Sequence, residues 1–377
     1  MTRGVTTQQE ERAFAEVKRL SSAGLEGPEL LRQVARGLGR AVPFEAYCAS
    51  TVDPATNLMT HGIAEGMGEG KEAAKGGRAF FDRVYFEEGL GKISSMLRER
   101  RQAESLSEAT GGNPERSLRY RELLKPLGFA HEVSGDFTDG GLWGGMDLAR
   151  RAGGQDFGSR EVGLLRRVAP HVGAGLKAAA LRSRAASAGR NGPEIPGVLT
   201  LDRDGRVVSH TPAAERWLKD LEDLHPSWHK SEPPIPVKMA AGALKRALSP
   251  ESDRDLDLVP RVRVRGRSGR WLALYGSLTE PSSGRPSETV VIIEPAKAED
   301  VAWLNAAAYG LTAREEEVIE LVARGQSTRQ IAGALFISEH TVQRHLANVF
   351  EKVGVRSRRA LLKRLFFDNL LPGLFAD

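Results

Sequence analysis

The sequence predicts a multidomain α+β chain: two α+β domains followed by an all-α domain of four helices. Three observations carry this. Strand-like and hairpin signals in the first 180 residues end in one long amphipathic helix. After residues 181–196, rich in Ala, Ser, Gly and Pro and read as a linker, strand signals return in the order ββ, helices, βββ. From residue 299 onward there is no strand signal except the short run "LFI", and helix-capping signals recur at the segment boundaries. The expected domains are therefore 1–180, 197–298 and 299–377.

In chain order, "EERAFAEVKRL" places Ala13, Phe14, Val17 and Leu20 at helical spacing, and "GPELLRQVARGLGRAV" repeats the pattern. "FEAYCASTV" reads as a strand closed by the turn signal Asp53-Pro54. Between residues 60 and 120 the periodicity weakens to helical fragments among glycines, and "GIAEGMGEGKEAAKGG" reads as a flexible loop. "HEVSGDF", "TDGG" and "LWGGMDLAR" form an expected hairpin turning at Asp139-Gly140. From Ser159 a helix carries Val162, Leu165, Val168, Val172 and Leu176, with Pro170 as a potential kink. The second domain opens with two strands around Asp204-Gly205 and a helix starting near Thr211-Pro212. "VKMAAGALKRAL" is a further helix, "RVRVRGRSGRWLALYGSL" a hairpin and "ETVVIIEP" a buried strand. The alternation places Arg261, Arg263 and Arg265 on one strand face, expected to be solvated.

Composition narrows the class. At 377 residues, 40% hydrophobic and 27% charged, the chain resembles ordinary soluble proteins, and no run of 18 apolar residues is present. The first residues lack the apolar stretch of a secretory signal, so the expected location is cytoplasmic, without a membrane partner. One cysteine excludes an internal disulfide framework, and Cys48 is expected to be a buried packing thiol. Residues 196–300 are neutral, with 16 basic and 16 acidic side chains, whereas 344–364 set seven basic side chains against Glu351 alone. The positive field is concentrated near the C-terminus, where a polyanion would be met.

The helices there are delimited by local chemistry. Thr312 and Glu315 have the spacing of a capping box, as do Ser327 and Gln330; Ser338 caps a third helix and Ser357 a fourth. Val342, Leu346, Val349 and Val353 form one apolar stripe ending at Gly354. At 100° per residue from Val342, Ala347 lies at about 140°, Glu351 at about 180° and Arg344 at about 200°, facing away from the core, with Gln343 and Asn348 flanking them. Two short helices joined by a tight turn, the second presenting such a face, is the arrangement that seats a helix in the DNA major groove. There Gln can bond adenine and Arg guanine, each bidentately.

These residues carry a resemblance. "LTAREEEVIELVARGQSTRQIAGALFISEHTVQRHLANVFEKVGVRSR" resembles the DNA-binding domain of LuxR-type transcription regulators, matching the family's Leu-Thr-x-Arg-Glu opening at Leu311–Glu315 and its Ile-Ser-x-x-Thr-Val at Ile337–Val342. The resemblance implies base contacts at Gln343, Arg344 and Ala347, and backbone contacts at Thr328, Ser338, Thr341 and Lys352. One departure is Gln343, where the family commonly has Lys. "LWGGMDLARR" with "FGSREVGLLRRVAPHV" is similar to the end of GAF domains, and "GVLTLDRDGRVVSHTPAAERWL" to the start of PAS domains. The implied whole is two sensor-like α+β domains ahead of a four-helix helix-turn-helix domain: a one-component, non-enzymatic transcription regulator that binds double-stranded DNA. A short recognition helix makes few base contacts, so a homodimer on two half-sites is expected, with Leu362, Phe366 and Phe367 among its candidate contacts. RNA polymerase is a further candidate partner. No cofactor is evident, and the ligand of the sensor-like domains is unknown.

Competing signals are weak. His225 and His229 stand four apart, but Pro226 interrupts and no Cys or carboxylate pair completes a metal site. No nucleophile elbow or phosphate-binding loop occurs. Trp143, Trp217, Trp271 and the phenylalanines at 80, 81, 86, 129 and 137 are expected in cores rather than pocket walls. A sigma-factor-like protein, a phosphorelay-linked regulator and an enzyme with a regulatory helix-turn-helix are the alternatives. The strand-bearing first half opposes the first, and the lack of a phospho-acceptor pattern in residues 1–120 opposes the second.

Overall fold

The computed structural model describes residues 7–68, 71–99, 101–186, 195–221, 233–249, 259–279, 287–297, 309 and 311–362. It divides into two compact units, one holding both sheets and the other the C-terminal helices.

The first unit begins with α1 (Thr7–Ser21) and α2 (Gly27–Leu38), followed by β1 (Ala46–Asp53) and β2 (Leu58–Glu65). Helix α3 (Lys71–Ala79), a π-helical stretch over Phe80–Gly89 and α4 (Leu90–Arg98) come next, then β3 (Ala103–Ser105) and the short α5 (Leu106–Thr110). A 3-10 turn at Pro114–Arg116 and a π-helical turn at Tyr120–Leu124 lead to β4 (Phe129–Thr138), β5 (Leu142–Arg151) and α6 (Ser159–Ala186). The five strands pair in the order β2-β1-β5-β4-β3. The expected hairpin is present as β4 and β5, with Gly140 at φ +70° in its turn.

The glycine-rich stretch departs from its reading as a loop. Its first four residues complete β2, which pairs with β1, and Lys71 starts α3. Gly62 and Gly66 obscure the strand in the sequence, yet both are needed where they stand. A Cβ on Gly62 would meet Ile235 Cδ1 at 2.6 Å, and Gly66 has φ +76° with Glu45 O in the space a side chain would take.

Helix α6 packs closely on one sheet face. Val162, Leu165, Val168 and Val172 are buried, as the periodicity predicts, and Pro170 lies within the helix. At Gly144 a Cβ would stand 2.4 Å from Ser50 O and 2.8 Å from Leu176 Cδ1, so only glycine permits this approach.

The second module runs β6 (Gly197–Leu201), β7 (Val207–His210), α7 (Pro212–Leu221), α8 (Ile235–Ala247), β8 (Arg261–Arg265), β9 (Trp271–Leu278) and β10 (Thr289–Pro295), its five strands forming the second sheet. Its strand order is β7-β6-β10-β9-β8, all antiparallel. This is the predicted ββ, helices, βββ arrangement.

The two sheets share one apolar core: Val52, Leu58, Phe86 and Leu142 pack in the same cluster as Leu199, Val237, Val262 and Ile293. The Phe86 ring lies against Gly242 of α8, where a Cβ would meet it at 2.2 Å. This contact corrects the solvated reading of the arginine strand. Arg263 is buried, with its guanidinium 3.7 Å from Asp53, itself fully buried at the end of β1. The Asp53 carboxylate also accepts from the Arg263 and Ala55 backbone N–H groups, at 3.0 and 3.1 Å. Arg265 reaches Glu26 at 2.8 Å. Alternation identified the shared face but not what covers it, because a strand's solvent face and a sheet-contact face have the same period. Phe86, Phe129, Phe137 and Trp143 are core residues, whereas Phe80, Phe81 and Trp217 are partly buried.

The second unit contains α9 (Ala313–Ala323), α10 (Thr328–Leu335), α11 (Glu339–Val353) and α12 (Arg358–Leu362). Val318, Val322, Ile331, Val342 and Leu346 form one cluster; Leu311, Ile319, Val349, Val353 and Leu361 form another. Leu362 packs against the first, and Phe366 and Phe367 lie outside the described residues. Among the described residues, no helix is long and apolar enough to cross a membrane.

Candidate nucleic-acid interface

The site is assembled by caps. Thr312 Oγ1 accepts from the Glu315 amide and Glu315 accepts from the Thr312 amide, a closed capping box at the start of α9. Ser327 and Gln330 repeat it at α10. Ser338 Oγ accepts from the Thr341 amide at 3.1 Å to begin α11, and the Ser357 hydroxyl accepts from the Ala360 amide at 3.1 Å to begin α12. Each cap contributes about 1 kcal/mol, so helix boundaries within this small bundle are fixed by short-range chemistry.

Between α10 and α11 the chain turns through Phe336 in the left-handed region, at φ +53°, and the Ile337 amide donates to Ala332 O at 3.0 Å. A phenylalanine in this conformation is uncommon. The residue is 95% exposed, so the turn is held by its backbone and by Ile337, which packs inward. Helix α11 then buries Val342, Leu346, Val349 and Val353 and ends at Gly354, φ +71°. The opposite side presents Gln343, Arg344, Ala347 and Asn348, all exposed. The helical wheel placed Arg344 and Ala347 outward together with Glu351, which is also exposed, and Gln343 and Asn348 at their flanks; the helix carrying them is anchored at both ends.

The four expected backbone-contact residues fall into two groups. Ser338 and Thr341 sit together in the first turn of α11, their hydroxyls 2.8 Å apart. Thr328 and Lys352 are committed to internal contacts: Thr328 Oγ1 accepts from Arg358 at 3.0 Å, and Lys352 Nζ donates to Glu315 at 2.6 Å. Burial opposes charge on Glu315, but the Lys352 ammonium and the Thr312 donors outweigh it and hold the carboxyl below its ordinary value. Lys352 is marked as a phosphate ligand by the family resemblance alone. Its partner lies 37 residues earlier and becomes visible only when the helices are packed.

Sequence reasoning also missed Arg358 and Arg314. Arg358 ties α12 to the start of α10 through Gln326 O at 3.0 Å and Thr328. Arg314 reaches the end of α10 through Leu335 O at 2.7 Å. Arg314 thus places a cation on the last carbonyl of α10, and Arg358 holds the segment that enters the helix.

Among the described residues, no group of three or more His, Cys, Asp or Glu side chains comes together as a metal site. His225 and His229 lie outside them.

Residues 310–365 match the family model described as bacterial regulatory proteins, luxR family, so the C-terminal unit carries a LuxR-type helix-turn-helix domain. The spore germination protein GerE of Bacillus subtilis is 50% identical over 48 residues, which are 13% of this chain and 65% of GerE. The nitrate/nitrite response regulator protein homolog of Haemophilus influenzae is 46% identical over 59 residues, 16% of this chain and 28% of that protein. This chain thus spans just under two thirds of GerE and far less of its longer relatives. Among solved structures, the phage VqmA-DPO complex is 18% identical, with a TM-score of 0.27, over 52% of this chain and 93% of that one. A Vibrio cholera VqmA-ligand-DNA complex is 22% identical, with a TM-score of 0.23, over 51% of this chain and 90% of that one.

Proposed function

We propose that this protein is a DNA-binding transcription regulator of the one-component type, in which α11 enters the major groove and the two sheet modules sense a small molecule or partner. The observation that carries the reading is the exposed row Gln343, Arg344, Ala347 and Asn348 on a helix whose other side is fully engaged in the core. In this reading Gln343, Arg344 and Ala347 touch base edges, and Ser338 and Thr341 touch the backbone, where the first-turn amides of α11 also favour an anion. The departure at Gln343 removes a positive charge the family commonly has there and substitutes a side chain suited to adenine.

The regulator acts as a cytoplasmic homodimer, since one helix of this length reads only a few base pairs and two half-sites about one helical turn apart multiply discrimination. The GAF-like and PAS-like modules supply the sensing. Their shared core supports the reading that they move as one body when the signal arrives. RNA polymerase is the partner such a protein would recruit or exclude.

Selection of bound sequences from a random duplex library, with full-length protein, tests this directly. A two-part consensus is expected. Arg344→Ala should cost about 1–3 kcal/mol on that consensus, roughly 5- to 150-fold in affinity, and relax one base position. Failure to enrich any sequence would sink the proposal.

A further inference from the structure

The two faces of the first sheet differ in how they are filled. On the α6 face, Ala49, Met146, Gly144 and Gly135 are buried and the packing closes on glycines. On the other face, toward the helical segments between β2 and β4, residues of two of the three inner strands, β1 and β5, are small or polar and keep accessible surface: Cys48, Ser50, Gly145 and Asp147 are each half-buried. The register sets them in two rows, Cys48 beside Asp147 beside Ser134, and Ser50 beside Gly145 beside Asp136. Among the described residues, a Cβ built on Gly145 would meet within 4 Å only the adjacent strand, Gly135 O at 3.4 Å and Asp136 Oδ1 at 3.6 Å. Inner-strand positions under a helical layer ordinarily hold large apolar side chains, whereas here small and polar ones leave the face incompletely filled.

Its wall is charged and incompletely matched. Arg119 holds Glu132 through Nε at 2.9 Å and Asp147 through Nη2 at 3.1 Å, and Arg101 holds Glu104 at 2.5 Å. Lys92 donates to Ser134 at 3.0 Å. Four carboxylates therefore face three cations. The fourth, Asp136, is 8% exposed, and its Oδ2 has no hydrogen-bond partner among the described residues. Burial raises its carboxyl to about 7, against the pull of Lys92 and with the push of Asp147 and Glu104. An unpaired buried carboxylate costs stability; its Oδ2 is sealed, and the oxygen on the side of the half-buried floor is Oδ1, 3.6 Å from where a Gly145 Cβ would stand. The Phe80 ring, under the Arg119 guanidinium at 5.3 Å, supplies an apolar wall at the Arg119 end of the site.

We infer that this face is a binding site for a small molecule carrying a protonated nitrogen on a compact apolar or aromatic body, with the nitrogen donating to Asp136 and the body lying over Gly145 and Ser50. It names the ligand class for the sensing half of the reading above and rests on that reading for its purpose. Cys48 lies on the floor of the site, and its thiol, pushed up to about 12 by burial, contributes there as a neutral apolar surface.

The test is calorimetric titration of the full chain, without DNA, with benzylamine, phenethylamine and cyclohexylmethylamine, each beside its alcohol and carboxylate counterpart. At least one amine is expected to bind, more tightly than its alcohol, while the carboxylates do not. Asp136→Asn, nearly the same shape, should weaken the amine tenfold or more and leave the alcohol unchanged; Gly145→Val, which fills the floor, should abolish both. Equal binding of amine and carboxylate, amine affinity indifferent to Asp136→Asn, or no binding by any amine at millimolar concentration would overturn the inference. Sequence selection on the same preparation reports on the DNA reading separately, so either can fail alone.

Discussion

Asp53→Ala is expected to destabilise the first unit by about 3–5 kcal/mol, the range for breaking a buried ion pair from one side. Asp53 is 1% exposed and Arg263 4%, and they join the end of β1 in the first sheet to β8 in the second. Removing the carboxylate leaves a buried guanidinium short of its counter-charge, and arginine cannot escape by losing a proton. It also releases two backbone donors, at Ala55 and Arg263, that the carboxylate now satisfies. Arg263→Met should cost less. The carboxyl left behind is already held above its ordinary value, because burial outweighs the attraction of Arg263, and it can become neutral by taking up a proton. Urea unfolding of both variants followed by circular dichroism checks the order. If Asp53→Ala costs under 1 kcal/mol, or less than Arg263→Met, the pair does not bind the sheets together as described.

That pair also marks where sequence reading stops. The caps at Thr312, Ser327, Ser338 and Ser357 were legible because each partner lies within three residues, and the outward row on α11 followed from periodicity alone. The β4-β5 hairpin and α6 were legible for the same reason. Strand β2 was hidden by glycines whose purpose is to admit Glu45 and Ile235 from elsewhere in the chain. Arg263 sits 210 residues from its carboxylate, and the rows of Cys48, Asp147 and Ser134 come from three separate strands. Long-range pairing of this kind leaves no local trace, since a polar residue at an alternating position reads the same whether water or another sheet covers it.

Glu315 is expected to be the most costly polar position of the C-terminal unit, with Glu315→Ala losing about 2–4 kcal/mol, the sum of a capping interaction and a charged hydrogen bond. Its side chain is 3% exposed and joins three things at once: the Thr312 amide, the start of α9 and the Lys352 ammonium in the last turn of α11. The pH dependence has a definite sign. The folded-state carboxyl lies below its ordinary value of 4.5, so the stability it supplies is present in full above that pH and is lost as pH falls through the folded value. Glu315→Gln should therefore flatten acid sensitivity in this unit, read by hydrogen exchange in peptides from α9 and α11. Lys352→Ala separates two roles that the sequence could not. A lysine spent on a phosphate would lower the salt dependence of DNA binding by about 0.9 in log–log slope. A lysine spent on Glu315 loosens α9 against α11 and leaves the slope nearly unchanged, so affinity falls because the reading face is less firmly held. The 2.6 Å contact favours the second outcome. A full unit of slope lost with exchange rates unmoved would return Lys352 to the DNA backbone.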